Sequence, residues 1–125
     1  MLPLLDIGGE GRYPEAWNLN PRPTRTIGPE TGSPIPNWIA GRADAIPLPD
    51  SSVTRIVVER TPLNDEAYGE ITRIAVTEGR IVLRHVRPPW SDPHRRAARL
   101  WGPPIRQRLT TLAGRIVQES EFICP

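Results

Sequence analysis

Residues 2–11 read LPLLDIGGEG, a short apolar run that ends in a cluster of glycines. An almost continuous apolar run of this length is typical of a strand that is buried on both faces of a sheet. Gly8, Gly9 and Gly11 follow it, and glycine permits a tight turn and the close approach of a ligand to the backbone. We therefore expect residues 2–7 to form a central parallel strand that ends in a glycine turn.

Strand and helix patterns alternate along the rest of the chain. Further strands are predicted at residues 16–19, 37–40, 55–59, 80–86 and 115–123. Helices are predicted between Asn64 and Gly79, from Asp92 or Ser91 to Leu100, and over residues 105–112. This alternation is typical of a mostly parallel sheet with helices on its faces. The predicted fold class is α/β, and the chain is short enough for a single domain, residues 1–125.

The connection between the first two strands is unusually short. Between Asp6 and Asn20 there is too little chain for a full helix, and Pro14 leaves room for a turn or two at most. Residues 20–36 are rich in proline and glycine and show no periodicity, so we predict a loop there, which is a candidate lid over a ligand site.

Composition limits the classes of function. The chain has 16 basic residues, all of them arginine, and 14 acidic ones. A nucleic-acid-binding face needs clustered positive charge rather than a small net excess, so we expect no nucleic-acid partner. A single cysteine, Cys124, allows no intrachain disulfide and no metal site of several thiolates. Without a leader or a long apolar stretch, we expect a cytoplasmic protein that does not enter a membrane.

Two longer blocks carry a family resemblance. Residues 41–63 read GRADAIPLPDSSVTRIVVERTPL, and residues 70–86 read EITRIAVTEGRIVLRHV. In order and spacing they resemble the middle of the small-molecule class I S-adenosylmethionine-dependent methyltransferases, whose pattern is G-D-A-x-x-L-P-F-x-D-x-S-F-D-x-V and then E-x-x-R-V-L-x-P-G-G. LDIGGEG stands where that family has D-x-G-x-G-x-G. The resemblance implies a small Rossmann-like sheet that lacks some family elements.

The resemblance also implies a binding site for S-adenosylmethionine at the carboxyl ends of the first strands. The family's acidic residue after the second strand falls on Asn20, and the one after the third strand falls on Arg42, with Asp44 two residues on. The acceptor would enter near Glu59. The cofactor-binding residues implied in this way are Asp6, Gly8, Gly9, Glu10, Gly11, Asn20, Arg42, Ala43, Asp44 and Glu59.

Several positions depart from the family pattern. Glu10 replaces the second glycine of the loop, where its carboxylate would face and repel the amino-acid end of the cofactor. Thr54 replaces an aspartate, and we expect the chain to stop before a seventh strand. Two functions stay open: a methyltransferase acting on a small molecule, and a non-catalytic or repurposed methyltransferase-like domain that binds another ligand or a partner protein.

No catalytic residue or metal ligand is assigned from the sequence. Methyl transfer to an acceptor depends mainly on proximity and alignment, so the lack of a catalytic dyad does not count against it. His85 and His94 have no partner pattern and are expected in the core or on the surface. The tryptophans, among them Trp90, are expected to pack in the core or an interface. Because the helical cover is reduced, we also expect a homodimer.

Overall fold

A computed structural model describes residues 1–86, 92–112 and 114–125. Within these ranges the chain forms a sheet and two helices. The strands are β1 (Leu5–Ile7), β2 (Trp17–Asn20), β3 (Trp38–Ala40), β4 (Val53–Glu59), β5 (Ala75–His85), β6 (Arg106–Leu112) and β7 (Arg115–Ile123). The helices are α1 (Asp65–Ile74) and α2 (Pro93–Trp101). Neither described helix has the length and apolar character needed to span a bilayer.

The strands form one sheet in the order β3-β2-β1-β4-β5-β7-β6. The first five strands are parallel, and β7 lies antiparallel between β5 and β6. The predicted central position of β1 is therefore confirmed, because β2 and β4 flank it. The predicted α/β class with a mostly parallel sheet is confirmed as well.

Both described helices pack on one face of the sheet. Alternate strand residues point to that face, including Leu5, Ile56 and Leu83, and meet Ile71 of α1 and Trp101 of α2. Removing so much apolar surface from water is the main favourable contribution to folding. The helices therefore build the core on one side only.

We call the other face of the sheet the open face, since no described helix packs on it. It carries a small apolar cluster of Leu4, Ala16, Val57 and Val82, against which Tyr13 packs. As predicted, no helix forms in the short connection between β1 and β2. The turn that contains Tyr13 takes the place of a helical layer at this end of the sheet.

Side-chain caps fix the N-terminal ends of both helices. The Asn64 side chain accepts a hydrogen bond from Ala67 N at 2.8 Å at the start of α1. Asp92 caps α2 by accepting from His94 N and Arg95 N. Side-chain caps of this kind satisfy amides that have no partner in the first helical turn. The alternative cap, Ser91, and also Trp90 lie outside the described residues.

Three expectations about the elements are wrong. The first predicted helix ends at Ile74 and runs directly into β5, so Gly79 lies within the strand. Residues 105–112 form no helix, because an eight-residue segment between Pro104 and Gly114 is too short to be a stable helix alone, whereas pairing with β7 satisfies its backbone. Because this segment forms β6, the sheet has seven strands, whereas the chain was expected to stop before a seventh.

Candidate functional site

A cavity of about 410 Å³ opens at the carboxyl ends of β1, β2, β3 and β4. Open α/β sheets bind ligands at this edge, outside the point where the strand order reverses. The volume lies within the range of small-molecule sites in proteins, about 300–1,000 Å³. The fold thus places a ligand-sized cavity where the sequence predicted a site.

The cavity has an apolar interior and a polar rim. Ile7, Leu19 and Leu63 contribute apolar surface, and the polar lining side chains are Arg42, Asp44, Thr61 and Asn64. Apolar walls with a few polar groups are typical of sites for flat, partly polar ligands. Asn64 Nδ2 donates to Asp44 Oδ2 at 3.4 Å, which joins the loop after β3 to the start of α1.

Gly8 is positioned by its contact with Thr61. It has φ +76°, and a Cβ at this position would lie 2.3 Å from Thr61 Oγ1. The Thr61 hydroxyl donates in turn to Ile7 O or Glu59 O, each at 3.3 Å. Only glycine fits here, because the tips of β1 and β4 meet in this contact.

The amides of the glycine turn are bonded within the chain. Gly8 N donates to Leu19 O at 2.8 Å, and Gly9 N donates to Asp6 O at 3.2 Å. Gly11 N donates to Asn18 Oδ1 at 3.3 Å. A ligand would have to displace these bonds to use the same donors.

Arg73 of α1 holds the loop that follows the cavity rim. Its guanidinium donates to Ile46 O and Leu48 O, each at 2.8 Å. It also pairs with Asp50 at 2.8 Å and with Glu70 at 2.6 Å. The Glu70 carboxylate accepts from Ile46 N at 2.8 Å, so both charges fix the same loop.

Glu10 points toward the loop of residues 20–36. Its carboxylate accepts from Thr26 N at 2.9 Å, from Thr26 Oγ1 at 2.6 Å and from Ile27 N at 3.3 Å. Desolvation acts to raise the pKa of Glu10, but the bonds from Thr26 and Ile27 outweigh it and hold the pKa below the ordinary value. Asn20 Nδ2 donates to Gly9 O at 3.3 Å and braces the same turn.

Asp6 and Glu59 lie on the open face and share Arg12. The guanidinium of Arg12 is 2.6 Å from Asp6 Oδ1 and 3.0 Å from Glu59 Oε2. Burial raises the pKa of Asp6, Arg12 opposes the rise and Glu59 adds to it, and the net shift is upward. Both carboxylates therefore hold the turn between β1 and β2 against the sheet.

Of the residues that the sequence implicated in cofactor binding, some line the cavity and others do not. Gly8, Arg42, Ala43 and Asp44 line the cavity. The lining does not include Asp6, Gly9, Glu10, Gly11, Asn20 and Glu59. Their assignment to a cofactor stays a prediction.

Sequence reasoning did not assign Leu63 and Asn64 to the site, although both line the cavity. One signal was available in the sequence. A helix cap that comes directly after a parallel strand lies at the carboxyl edge of the sheet, which is the ligand edge.

Two buried histidines, His85 and His94, lie beside each other with ring centroids 5.5 Å apart. His85 Nε2 is 2.9 Å from Thr61 O, and since a carbonyl only accepts, this nitrogen carries the proton. His85 Nδ1 is buried, and no residue that the structure describes forms a hydrogen bond with it. Burial lowers the pKa of His85, although Thr61 O and Glu59 act to raise it. His94 Nδ1 lies 2.7 Å from Ser120 Oγ.

The described tryptophans differ in burial. Trp101 is buried against Tyr68 and Phe122, as expected of a core aromatic. Trp17 and Trp38 are 40% and 38% exposed at the β2 and β3 end of the sheet. Among the described residues no cluster of His, Cys, Asp and Glu is arranged to hold a metal ion.

Comparison by sequence finds no matching family model and no significantly similar curated protein. Comparison by structure finds many similar chains. A SAM-dependent methyltransferase from Methanosarcina mazei has a TM-score of 0.71 at 12% identity, and the match covers 97% of this chain and 91% of that one.

Two further similar structures are of methyltransferases that are named after their substrates. A magnesium protoporphyrin IX methyltransferase from Synechocystis with bound SAM has a TM-score of 0.60 at 12% identity, over 99% of this chain and 70% of that one. A 16S rRNA adenine methyltransferase from Catenulisporales acidiphilia with its cosubstrate SAM has a TM-score of 0.60 at 14% identity. The match covers 97% of this chain and 83% of that one. This chain thus has the class I SAM-dependent methyltransferase fold, in a divergent form.

Proposed function

We propose that this chain binds S-adenosylmethionine in the cavity beside Gly8 and transfers its methyl group to a small molecule. The observation that carries the proposal is the position of the cavity, at the carboxyl ends of β1 to β4 in a sheet whose fold is similar to that of SAM-dependent methyltransferases. Similar structures contain SAM. The sequence blocks at residues 41–63 and 70–86 support the small-molecule class.

The lining suits the nucleoside part of the ligand. We place the adenine ring against Leu19, Ala43 and Leu63, because a flat aromatic ring is favourably buried on apolar side chains. The amide of Asn64 and the carboxylate of Asp44 lie at the rim, where they offer a donor and acceptors to ring and ribose groups. The methionine end then lies toward Gly8 and Thr61.

The chain's own part in the reaction is positioning. When bound, SAM supplies a methyl carbon that is already activated by the sulfonium. Thr61 and Gly8 fix the tips of β4 and β1 against each other, and the bonds of Arg73 fix the loop behind the rim. Holding two reactants in line lowers the barrier without acid-base chemistry. No catalytic base is assigned.

A second function is a binding domain of this fold without transferase activity. The observation that favours it is the internal bonding of the amides of Gly8, Gly9 and Gly11, which leaves them unavailable to a ligand's carboxylate. Such a domain would bind the nucleoside part more strongly than the amino-acid part. Adenosine would then bind about as well as S-adenosylhomocysteine.

Calorimetric titration with S-adenosylhomocysteine, SAM and adenosine tests both functions. Ala43→Phe fills the cavity and is expected to abolish binding. Ala45→Phe is the matched control, because Ala45 is exposed and lies outside the lining. Binding that survives Ala43→Phe, or equal loss in both variants, would contradict the proposed site. No binding of any of the three ligands would end both proposals.

A homodimer and a cytoplasmic location are part of the proposal. Support for the dimer comes from exposed large apolar side chains around α2, β6 and β7, namely Leu100, Ile105, Leu109 and Ile116. Support for a reducing compartment comes from Cys124, which is buried and free.

A further inference from the structure

Arginines cover the open face of the sheet over β4, β5, β7 and β6. Side chains alternate between the faces of a strand, and the registers place one residue of each strand beside the next. The residues on the open face of these strands include six arginines and three glutamates: Arg55, Arg80, Arg84, Arg106, Arg108, Arg115, Glu59, Glu119 and Glu121. The face therefore has an excess of positive charge.

The acidic side chains lie beneath the basic ones. Glu59, Glu119 and Glu121 are 5%, 9% and 13% exposed, whereas Arg106 and Arg108 are both 60% exposed. Arg84 bridges Glu59 at 2.8 Å and Glu119 at 3.0 Å. The glutamates thus order the arginines from below, and the guanidinium groups form the outer surface.

Two arginines on this face form no ion pair with any residue that the structure describes. They are Arg55 on β4 and Arg115 on β7, and both are exposed. The paired arginines also keep free donors, because a guanidinium has five N–H groups and Arg106 directs a single nitrogen, Nη2, to Glu121. This face therefore offers guanidinium donors that no described residue uses.

We propose that the arginine face, defined by Arg55, Arg80, Arg106, Arg108 and Arg115, binds the phosphate backbone of a nucleic-acid strand. Arginine forks match phosphate geometry, and clustered arginines supply sequence-independent affinity for nucleic acids. This inference is independent of the SAM cavity. It also departs from the expectation, drawn from composition, of no nucleic-acid partner.

The face does not suit a second protein copy. The cores of protein interfaces are depleted in charge and enriched in large apolar side chains. Among the residues of strands β4 to β7 whose burial the structure describes, the exposed large apolar ones are Leu109 and Ile116, and both alternate onto the helical side of the sheet. Charge complementarity therefore favours a polyanion.

Fluorescence anisotropy with a labelled single-stranded RNA of about 16 nucleotides tests this directly. We expect a Kd of about 1–100 µM near physiological salt, with strong weakening as salt rises. Combining Arg55→Gln with Arg115→Gln should weaken binding on the order of tenfold. The slope of log K against log salt should fall by about 1.4, as expected for two lost contacts to a single strand.

The matched control combines Arg95→Gln with Arg99→Gln. Both arginines are exposed on α2, on the other side of the sheet, so the loss of net charge is identical. This control should bind RNA nearly as well as the unaltered protein, and thermal melting should show that both double variants fold. S-Adenosylhomocysteine binding should be the same in all three proteins.

Three results would overturn the inference. One is no anisotropy change at about 100 µM protein, the weak end of non-specific binding. Another is an equal loss of affinity in both double variants, which would mean that net charge alone acts. The last is binding to vesicles with anionic lipid but not to RNA, which would make the face a membrane surface. Equal binding of single-stranded DNA supports recognition through phosphates.

Discussion

Gly8 is the residue on which the cavity depends most. Its φ of +76° and its contact with Thr61 exclude any side chain. We expect Gly8→Ala to destabilise the protein and to abolish ligand binding by pushing the β4 tip away. Gly28→Ala is the matched control, since Gly28 has φ +82° and no atom within 4 Å of the position that a Cβ would occupy.

The two glycine variants separate backbone strain from steric conflict. Gly28→Ala should cost about 1–2 kcal/mol, the cost of a left-handed alanine. Gly8→Ala should cost about 1–3 kcal/mol more, because it also overpacks. Urea unfolding measures both values. Equal costs would show that the contact with Thr61 yields easily and that Gly8 is not required by packing.

Glu10 shows how the structure changes a prediction made from the sequence. The family pattern predicts that Glu10→Gly tightens S-adenosylhomocysteine binding by removing a repulsive charge. The structure instead bonds Glu10 to Thr26 and Ile27, so we expect Glu10→Gly to release the loop of residues 20–36 without tightening binding. Limited trypsin digestion should then cut faster after Arg25, which Thr26 follows.

Glu10→Gln is the control, because its amide oxygen still accepts from Thr26 N. The pKa of Glu10 is below its ordinary value of 4.5, so its stabilising effect is present above that pH and is lost as the pH falls through the folded-state pKa. The loop should become more sensitive to an acid-active protease such as pepsin in the same pH range. If Glu10→Gly leaves the cutting rate unchanged, the carboxylate does not anchor the loop.

His85 makes stability depend on pH near neutrality. Its pKa is lowered from 6.5 by burial, so the unfolded chain binds the proton more readily than the folded one. Stability should therefore fall as the pH drops below 6.5 toward the folded-state pKa. His85→Gln can still donate to Thr61 O but does not titrate. Its free energy of unfolding should depend less on pH, and an unchanged dependence would refute this role.

At the scale of elements, α1 positions the cavity rim as well as the core. Arg73 joins α1 to Ile46, Leu48 and Asp50 in the loop after β3. Lysine cannot reproduce the fork of donors, so we expect Arg73→Lys to loosen that loop and to cost about 1–2 kcal/mol. The affinity for S-adenosylhomocysteine should fall as the loop loosens.

The control for Arg73 is Arg99→Lys, at an exposed position on α2. Calorimetry and urea unfolding of both variants provide the comparison. If Arg73→Lys binds ligand with unchanged affinity, the loop does not depend on α1 for its position.

The strands and helices also show what local sequence decides. The apolar run before Gly8 and the cap at Asn64 are local signals, and they correctly predicted the central strand and the start of α1, although α1 ends at Ile74 and not near Gly79. Residues 105–112 were predicted as a helix because Ile105, Leu109 and Leu112 recur at helical spacing. Their strand structure depends on pairing with β7, which is tertiary and invisible to local periodicity.

At the scale of the whole molecule, the strand order brings together the residues of the arginine face and those of the cavity. Arg55, Arg80, Arg106 and Arg115 are far apart in sequence, and the order β4-β5-β7-β6 brings them onto one face of the sheet. Arg55 and Arg80 are neighbours at one end of that face, and Arg115 lies at the other end. Composition showed a small excess of positive charge but not its location. In the same way, the residues of the cavity come from four strand ends. Sequence reasoning identified two of them, the ends of β1 and β3, through Gly8 and Arg42 to Asp44.

The homodimer is a prediction at this scale. We expect light scattering at high micromolar concentration to give twice the monomer mass, with apolar side chains around β6 and β7 buried between copies. Leu109→Asp combined with Ile116→Asp should then give monomers, because both side chains are exposed and their change leaves the core intact. A monomer mass for the unaltered protein would contradict the dimer.

The binding of S-adenosylhomocysteine to the cavity is tested most directly by mapping backbone amide chemical shifts during a titration. The account predicts that the largest changes fall on the strand ends that line the cavity, at Gly8, Arg42 to Asp44, and Leu63 to Asn64, while Arg95 and Arg99 on α2 stay unchanged. No change at millimolar ligand, or changes centred away from these strand ends, would contradict it.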